Sequence, residues 1–306
     1  MITPQQLTID DRTKIQSYLH KDAQQISELT FTNLFVWRHS RPIWTAEVND
    51  SLVFLIEDDN TTNPGLIILG GPIGQAEPEV VFRNLDMPIT GATRVPETAR
   101  SALINTGYPL LSDRDNADYV YLVSDLAELA GRQFTKKRNH INQCLKNYSC
   151  VYEPIYKETI NECLALQDRW CRLRGCHEKA GLCHEYQAIC ELFANYEILG
   201  VTGGAIRVND RIEAFAVAER LSPDTAVWHF EKAMPEIEGL GQLINHWFAK
   251  NSLSAFTFVN REQDLGIDGL RQAKESYHPF YMVPKYTSKI CAAQPDPGRA
   301  APCFHP

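Results

Sequence analysis

One stretch constrains the fold more than any other. A strand-like segment, Ala226 to Ala233, passes through the loop Glu238-Gly239-Leu240-Gly241 into a helix predicted over Gln242 to Lys250. In that helix Leu240, Leu243, Ile244, Trp247 and Phe248 recur at i, i+3, i+4, i+7 and i+8, the spacing that puts apolar residues on one helical face. Two strands, Gly203 to Val208 and Arg211 to Ala218, precede it, with Asn209-Asp210 as the turn between them. Upstream lie a strand, Cys150 to Ile155, and helices Lys157 to Arg174 and His184 to Tyr196; Ile160, Cys163, Leu164, Trp170 and Leu173 are expected near one face of the first. Downstream come a strand Ala255 to Asn260, a helix Ile267 to Tyr277 and a strand Phe280 to Pro284, so this half reads β-α-α-β-β-β-α-β-α-β.

The chain has 306 residues, more than one hydrophobic core usually serves, and 44% of them are hydrophobic. Two α+β lobes are therefore expected: residues 1–115, residues 116–290, and a disordered tail, 291–306, rich in small residues and proline. The first lobe is predicted to open with a helix from Asp10 to Thr30, followed by strands Ile43 to Val48, Leu52 to Glu57 and Leu66 to Leu69. Helix, strand and helix then fill Pro78 to Gly107. No apolar run approaches the ~20 residues that span a bilayer, and the N-terminus has no signal-peptide layout, so a cytoplasmic protein without stable membrane insertion is expected. Nine irregularly spaced cysteines do not read as a disulfide framework and are expected as reduced thiols. The group Cys171, Cys176, His177, Cys183, His184 and Cys190 lacks paired zinc-ligand spacing, so no metal is assigned. A net charge of −8 argues against broad nucleic-acid binding and leaves room for a local basic patch at a tRNA end or a CoA.

The element order of the second half is that of GNAT acyltransferases. The phrases Lys136-Lys137-Arg138-Asn139-His140-Ile141-Asn142, His229-Phe230-Glu231-Lys232-Ala233 and Phe258-Val259-Asn260-Arg261-Glu262-Gln263-Asp264-Leu265-Gly266 resemble the bacterial family named after the C-terminal domain of phosphatidylglycerol lysyltransferase. The resemblance covers about Met1 to Lys289. It implies two tandem GNAT-like lobes, each a mixed, mainly antiparallel sheet flanked by helices, and kinship with enzymes that add amino acids to peptidoglycan precursors. It also implies an activated acyl donor and an amine acceptor, with no tightly bound cofactor. The donor is acyl-CoA or a carrier thioester in one reading and aminoacyl-tRNA, for a lipid headgroup or peptide, in another. A catalytically degenerate, ligand-binding fold is the third.

Residue by residue, the loop Gly239-Leu240-Gly241-Gln242 is the candidate cradle for donor phosphates, because glycine lets the backbone approach and a helix start favours negative charge. The basic or amide residue of the GNAT loop pattern is absent upstream, where Ile237 and Glu238 stand. Acyl transfer to an amine needs a base. Strict alternation on the strand puts Val227, His229, Glu231 and Ala233 on one face and Trp228, Phe230 and Lys232 on the other, making His229 or Glu231 the candidate. Asn260 and Arg261 follow the next strand and are candidate donor contacts, and Tyr277 is the candidate acid for the leaving group. Lys136, Lys137, Arg138 and His140 are the candidate anion site; a solvated helix face is the alternative.

Overall fold

The computed structural model describes residues 1–21, 24–58 and 65–288; the tail expected from 291 onward lies outside them. The chain divides into two compact units. The first holds Met1–Asp118, Gln263–Arg271 and the described residues from Met282; the second holds Tyr119–Glu262 and Gln272–Tyr281.

The first unit is built on a five-stranded sheet in sequential order: Gln5–Gln6, Trp44–Val48, Ser51–Glu57, Leu66–Ile73 and Ile89–Thr93. Neighbours are antiparallel except the last two, which run parallel and are joined through the helix Pro78–Asn84. Val53, Leu55, Leu66 and Ile68 bury one sheet face together with Val81 of that helix and Leu103 of the helix Glu97–Asn105. The helix expected from Asp10 to Thr30 is a short one, Arg12–Leu19. Ser27 cannot continue it, because its N–H donates to Asp118 Oδ2 at 2.8 Å instead of to a carbonyl one turn back. A separate helix, Phe31–Val36, starts where the Thr30 hydroxyl accepts from Asn33 N–H.

Two late segments, Gln263–Arg271 and the described residues from Met282, belong to this first unit. Asp264, fully buried, receives Arg114 at 3.1 Å and Arg271 at 2.9 Å. The strand Lys285–Thr287 pairs with Val95–Pro96 and Leu111–Ser112. Its Lys285 ammonium bonds Glu28 Oε2 at 2.5 Å and Asp118 Oδ1 at 2.6 Å, with all three side chains at most 1% exposed.

The second unit repeats the same plan. Strands Cys150–Pro154, Thr202–Val208, Arg211–Arg220 and Thr225–Ala233 form an antiparallel meander. The helix Leu240–Ser252 then returns the chain to Phe258–Asn260, which lies parallel to Thr225–Ala233. Asp118–Leu122 pairs on the far side of Phe258–Asn260. Leu240, Leu243, Ile244 and Phe248 are buried, as their spacing requires. On the helix Lys157–Arg174 the expected Cys163 is buried, together with Leu166, Gln167 and Cys171; Ile160, Leu164 and Trp170 are half-buried and Leu173 is exposed. The apolar residues of that helix span more than one face, so periodicity alone places the stripe only in part.

The cysteines also depart from expectation. Cys171 and Cys176 form a disulfide, whereas Cys144, Cys150, Cys163 and Cys190 are free. Gly175 ends the helix in the left-handed region, at φ 63°, and turns Cys176 back to a Cα distance of 5.1 Å from Cys171. Among the described residues no helix is long and apolar enough to cross a membrane.

Candidate active site

The parallel strands of the second unit part early. Phe258, Val259 and Asn260 pair with Thr225, Ala226 and Val227, and Thr225–Ala233 then runs on for six residues without that neighbour. At the point of parting the register against Arg211–Arg220 slips. Val217 lies opposite Phe230 and Ala218 opposite Trp228, which leaves His229 with no residue across from it. Such a bulge re-aims side chains. Glu231 and Trp228, opposite Ala216 and Ala218, share one face, while Phe230 and Val227 share the other. Strict alternation, with His229 and Glu231 side by side, does not hold.

His229 is thereby drawn into a relay of its own. Its side chain is 1% exposed, with Nε2 at 2.8 Å from Glu219 and Nδ1 at 3.0 Å from Glu262. Burial pushes its pKa down, but the hydrogen bonds and charges of the two carboxylates outweigh that and bring it to about 9. At neutral pH His229 is an imidazolium with both nitrogens engaged, which leaves no lone pair for general-base work.

The linkage has a definite sign. A histidine whose folded pKa stands above its ordinary 6.5 contributes stability that is fully present below 6.5 and is lost as pH rises through about 9. The shift corresponds to about 3 kcal/mol. Urea unfolding at pH 6 and at pH 9.5 is expected to show the wild type losing about that much more than His229→Gln; equal losses in the two proteins would contradict the assignment.

Glu231 lies on the other side of the bulge. Its Oε2 accepts from Asn245 Nδ2 at 2.6 Å and from Arg261 Nη2 at 3.0 Å, and its side chain keeps 24% exposure. Burial raises its pKa, with the Arg261 charge and the Asn245 hydrogen bond pulling the other way. Asn245 is the joint of the site. From one helix position it also donates to Gly241 O at 3.2 Å and accepts from Arg261 Nη1. Arg261 in turn packs on three rings, with its guanidinium carbon 4.7 Å from the centre of Trp228, 5.4 Å from Tyr277 and 5.7 Å from Tyr121. It is engaged within the protein, so the expected bidentate grip on a ligand is not available in this arrangement. Asn260 is fully buried, and its Oδ1 accepts from Glu262 N–H at 2.8 Å, supporting the left-handed turn at Glu262, φ 60°. This bond gives Asn260 a part in shaping the turn.

The basic run on the helix Thr135–Asn147 splits by direction. Lys137 points inward: its ammonium donates to Ser276 Oγ at 2.6 Å and lies 3.9 Å from the Tyr277 ring centre. Burial, and then the Arg261 charge, hold its pKa below the usual lysine value. Arg138 turns back to Leu129 O, Gly131 O and Thr135 Oγ1, satisfying the carbonyls behind the helix Val123–Glu128. Lys136 is exposed, and His140 Nδ1 stands 3.5 Å from Glu238. The four do not form a single anion site. Tyr277 is 7% exposed, burial raises its pKa, and its hydroxyl has no hydrogen-bond partner among the described residues.

The two loop glycines have different reasons to exist. Gly239 caps the helix at φ 82°, and a Cβ there would stand 2.1 Å from His140 O. Gly239→Ala is expected to cost more than ~2 kcal/mol in urea unfolding, since both backbone strain and a backbone clash oppose it. Gly241→Ala, with nothing within 4 Å of its Cβ, is expected to melt like the wild type. The N–H groups of Gly241 and Gln242 have no partner among the described residues, whereas Leu240 N–H bonds Ile237 O and Leu243 N–H bonds Gly239 O. Glu238 is turned toward His140.

Sequence reasoning missed Asn245, Trp228, Tyr121, Glu219 and Glu262. Asn245 carries a visible signal, being a polar residue inside an otherwise apolar helical stripe. Trp228 depends on the bulge.

With this geometry in view, the profile of the family described as "Phosphatidylglycerol lysyltransferase, C-terminal" matches residues 22–289. A conserved protein of unknown function from Bacteroides thetaiotaomicron is 34% identical, with a TM-score of 0.83 over 94% of this chain and 99% of that one. The C-terminal domain of a putative lysylphosphatidylglycerol synthetase from Agrobacterium fabrum is 10% identical, with a TM-score of 0.61 over 91% of this chain and 90% of its own. L-PGS from Bacillus licheniformis is 14% identical, with a TM-score of 0.60 over 90% of this chain and 91% of its own. At these identities the last two show a shared fold alone. No functionally curated protein matches the chain.

Proposed function

Because the chain belongs to the phosphatidylglycerol lysyltransferase C-terminal family, we propose that it is an acyltransferase of the aminoacyl type. It moves an amino acid from the ester of an aminoacyl-tRNA to the amino group of a peptide or small molecule. The observation that carries this reading is Glu231, a carboxylate of raised pKa fixed by Asn245 and Arg261 where two parallel strands part. Through Asn245 it is tied to Gly241, beside the unengaged N–H groups that suit a donor phosphate.

In this scheme the acceptor arrives as an ammonium ion and gives one proton to Glu231, which passes it to solvent. The freed nitrogen bonds to the ester carbonyl carbon, and the bond from that carbon to the ribose oxygen breaks. Tyr277, whose burial keeps it protonated, hands its proton to the ribose oxygen and regains one from the nitrogen as the amide forms. The products are an amide and a tRNA with a free hydroxyl. Lys136, exposed on the helix Thr135–Asn147, supplies local positive charge that an acidic chain needs at a nucleic-acid end.

The direct test is incubation with a tRNA pool charged with radiolabelled amino acids and a mixed peptide acceptor pool. Label is expected to leave acid-precipitable tRNA and appear in a base-stable amide. Ester loss at the spontaneous rate with every amino acid would overturn the reading.

A further inference from the structure

Two free thiols outside the candidate active site face each other. Cys144 closes the last turn of the helix Thr135–Asn147, where its carbonyl accepts from Tyr148 N–H at 3.0 Å, and Cys150 opens the strand Cys150–Pro154. Their sulfurs stand 4.0 Å apart in a hydrogen bond. Cys144 is fully buried, whereas Cys150 is half-buried on a strand at the edge of its sheet. An oxidant from solvent therefore meets Cys150 first and reaches Cys144 through it.

Burial raises the pKa of both thiols, but the bond between them splits the pair: it draws Cys150 down and adds to the burial that pushes Cys144 up to about 12. That is the pattern of a Cys144 S–H donating to the Cys150 sulfur, which favours Cys150 as the attacking thiolate and keeps the proton on Cys144. Cys144 also has a neighbour on its other side. A Cβ built on Gly239 would lie 3.1 Å from Cys144 Cβ and 2.1 Å from His140 O, so this stretch of helix is the bed on which the loop Gly239-Leu240-Gly241 rests. Packing this close passes a shift of one wall on to the other.

We propose that Cys144 and Cys150 are an oxidative modification site, a dithiol closed by a small disulfide oxidant, and that closure loosens the loop before the helix Leu240–Ser252. The Cys150 thiolate attacks one sulfur of the oxidant and expels the other as a thiolate. Cys144 then gives its proton to water, its sulfur bonds to Cys150 Sγ, and the second half of the oxidant leaves as a thiolate. Two protein thiols are oxidised, and one external disulfide is reduced to two thiols. Joining the sulfurs draws them from 4.0 Å to about 2.05 Å. The contraction falls partly on Cys144, whose fit against Gly239 then changes.

The site needs no turnover and stands apart from the transferase reading. The folded chain is incubated with oxidised glutathione at pH 8, quenched with a thiol-alkylating reagent and mapped by mass spectrometry without reduction. The wild type is expected to give a Cys144–Cys150 cross-linked peptide, two hydrogens lighter than the reduced pair. Cys144→Ser, lacking the resolving thiol, is expected to accumulate a glutathione adduct on Cys150, and Cys150→Ser to leave Cys144 unmodified. Amide exchange is then followed at Leu240 and Leu243, whose N–H groups bond Ile237 O and Gly239 O. Oxidation is expected to speed that exchange several-fold in the wild type and to leave it unchanged in Cys150→Ser. Cys150 left unmodified in the wild type, or holding glutathione without resolution, overturns the dithiol; a cross-link with no faster exchange overturns its hold on the loop. The wild-type results decide both points even where a serine variant does not fold.

Discussion

Replacing Glu231 with glutamine is expected to slow aminoacyl transfer by about 10²- to 10⁴-fold, the range that loss of a general base costs, while leaving the melting behaviour close to wild type. Glutamine preserves the hydrogen-bond acceptor for Asn245 and Arg261, which separates loss of the proton acceptor from loss of the scaffold. The pH profile supplies a second readout. Glu231 takes a proton only when ionised, and burial holds its pKa above the ordinary carboxylate value. Wild-type transfer should therefore climb with pH through that raised pKa and level off above it, and the limb should be absent in Glu231→Gln. Initial rates between pH 4 and 8 measure this; a variant that keeps wild-type rates would remove Glu231 from the chemistry. His229→Gln, by contrast, should move stability more than the position of that limb, because His229 is saturated by Glu219 and Glu262.

Much of the scaffold was legible in the sequence because hydrophobic period and turn chemistry are local. The meander from Thr202 to Ala233, the turn at Asn209-Asp210 and the helix starting at Leu240 follow from such signals. The site was less legible because it depends on one register slip. Alternation assigned His229 and Glu231 to one face; the bulge at His229 separated them and brought Trp228 around to Glu231. Nothing in the residues Trp228-His229-Phe230-Glu231 announces a bulge, since it is decided by the neighbouring strand. The basic run misled for a related reason: successive helical residues point about 100° apart. Lys137 and Arg138 therefore reach different partners, the Tyr277 ring and the Leu129 carbonyl. Gly239 looked like a ligand-approach glycine and is required by His140 O, whereas Gly241 is the one with open space.

The second large effect belongs to the first unit. Lys285→Met is expected to destabilise the protein by about 3–5 kcal/mol, the cost of removing one partner from a buried ion pair. The replacement fills a similar volume, but Glu28 and Asp118 would remain buried without the ammonium, and Ser27 would lose its contact with that ammonium while keeping its bonds to Asp118. In the wild type, burial works to raise the Glu28 pKa, and the charges of Lys285 and Arg94 overcome it so that the net shift is downward. That contribution is present above the ordinary carboxylate range and is lost as pH falls through the lowered pKa. In Lys285→Met the opposing burial meets only the charges of Arg94 and Arg41, so protonation of Glu28 relieves the strain and the deficit should shrink as pH falls from 7 toward 4.5. Urea unfolding at both pH values measures this, and Lys285→Met/Glu28→Gln/Asp118→Asn should recover most of the loss by removing the stranded charges together with their partner. A single-variant deficit below ~1 kcal/mol at pH 7 would mean that the cluster is already neutralised by other groups. In that case the return of the strand Lys285–Thr287 to the first unit would rest on its pairing with Val95–Pro96 and Leu111–Ser112 rather than on charge.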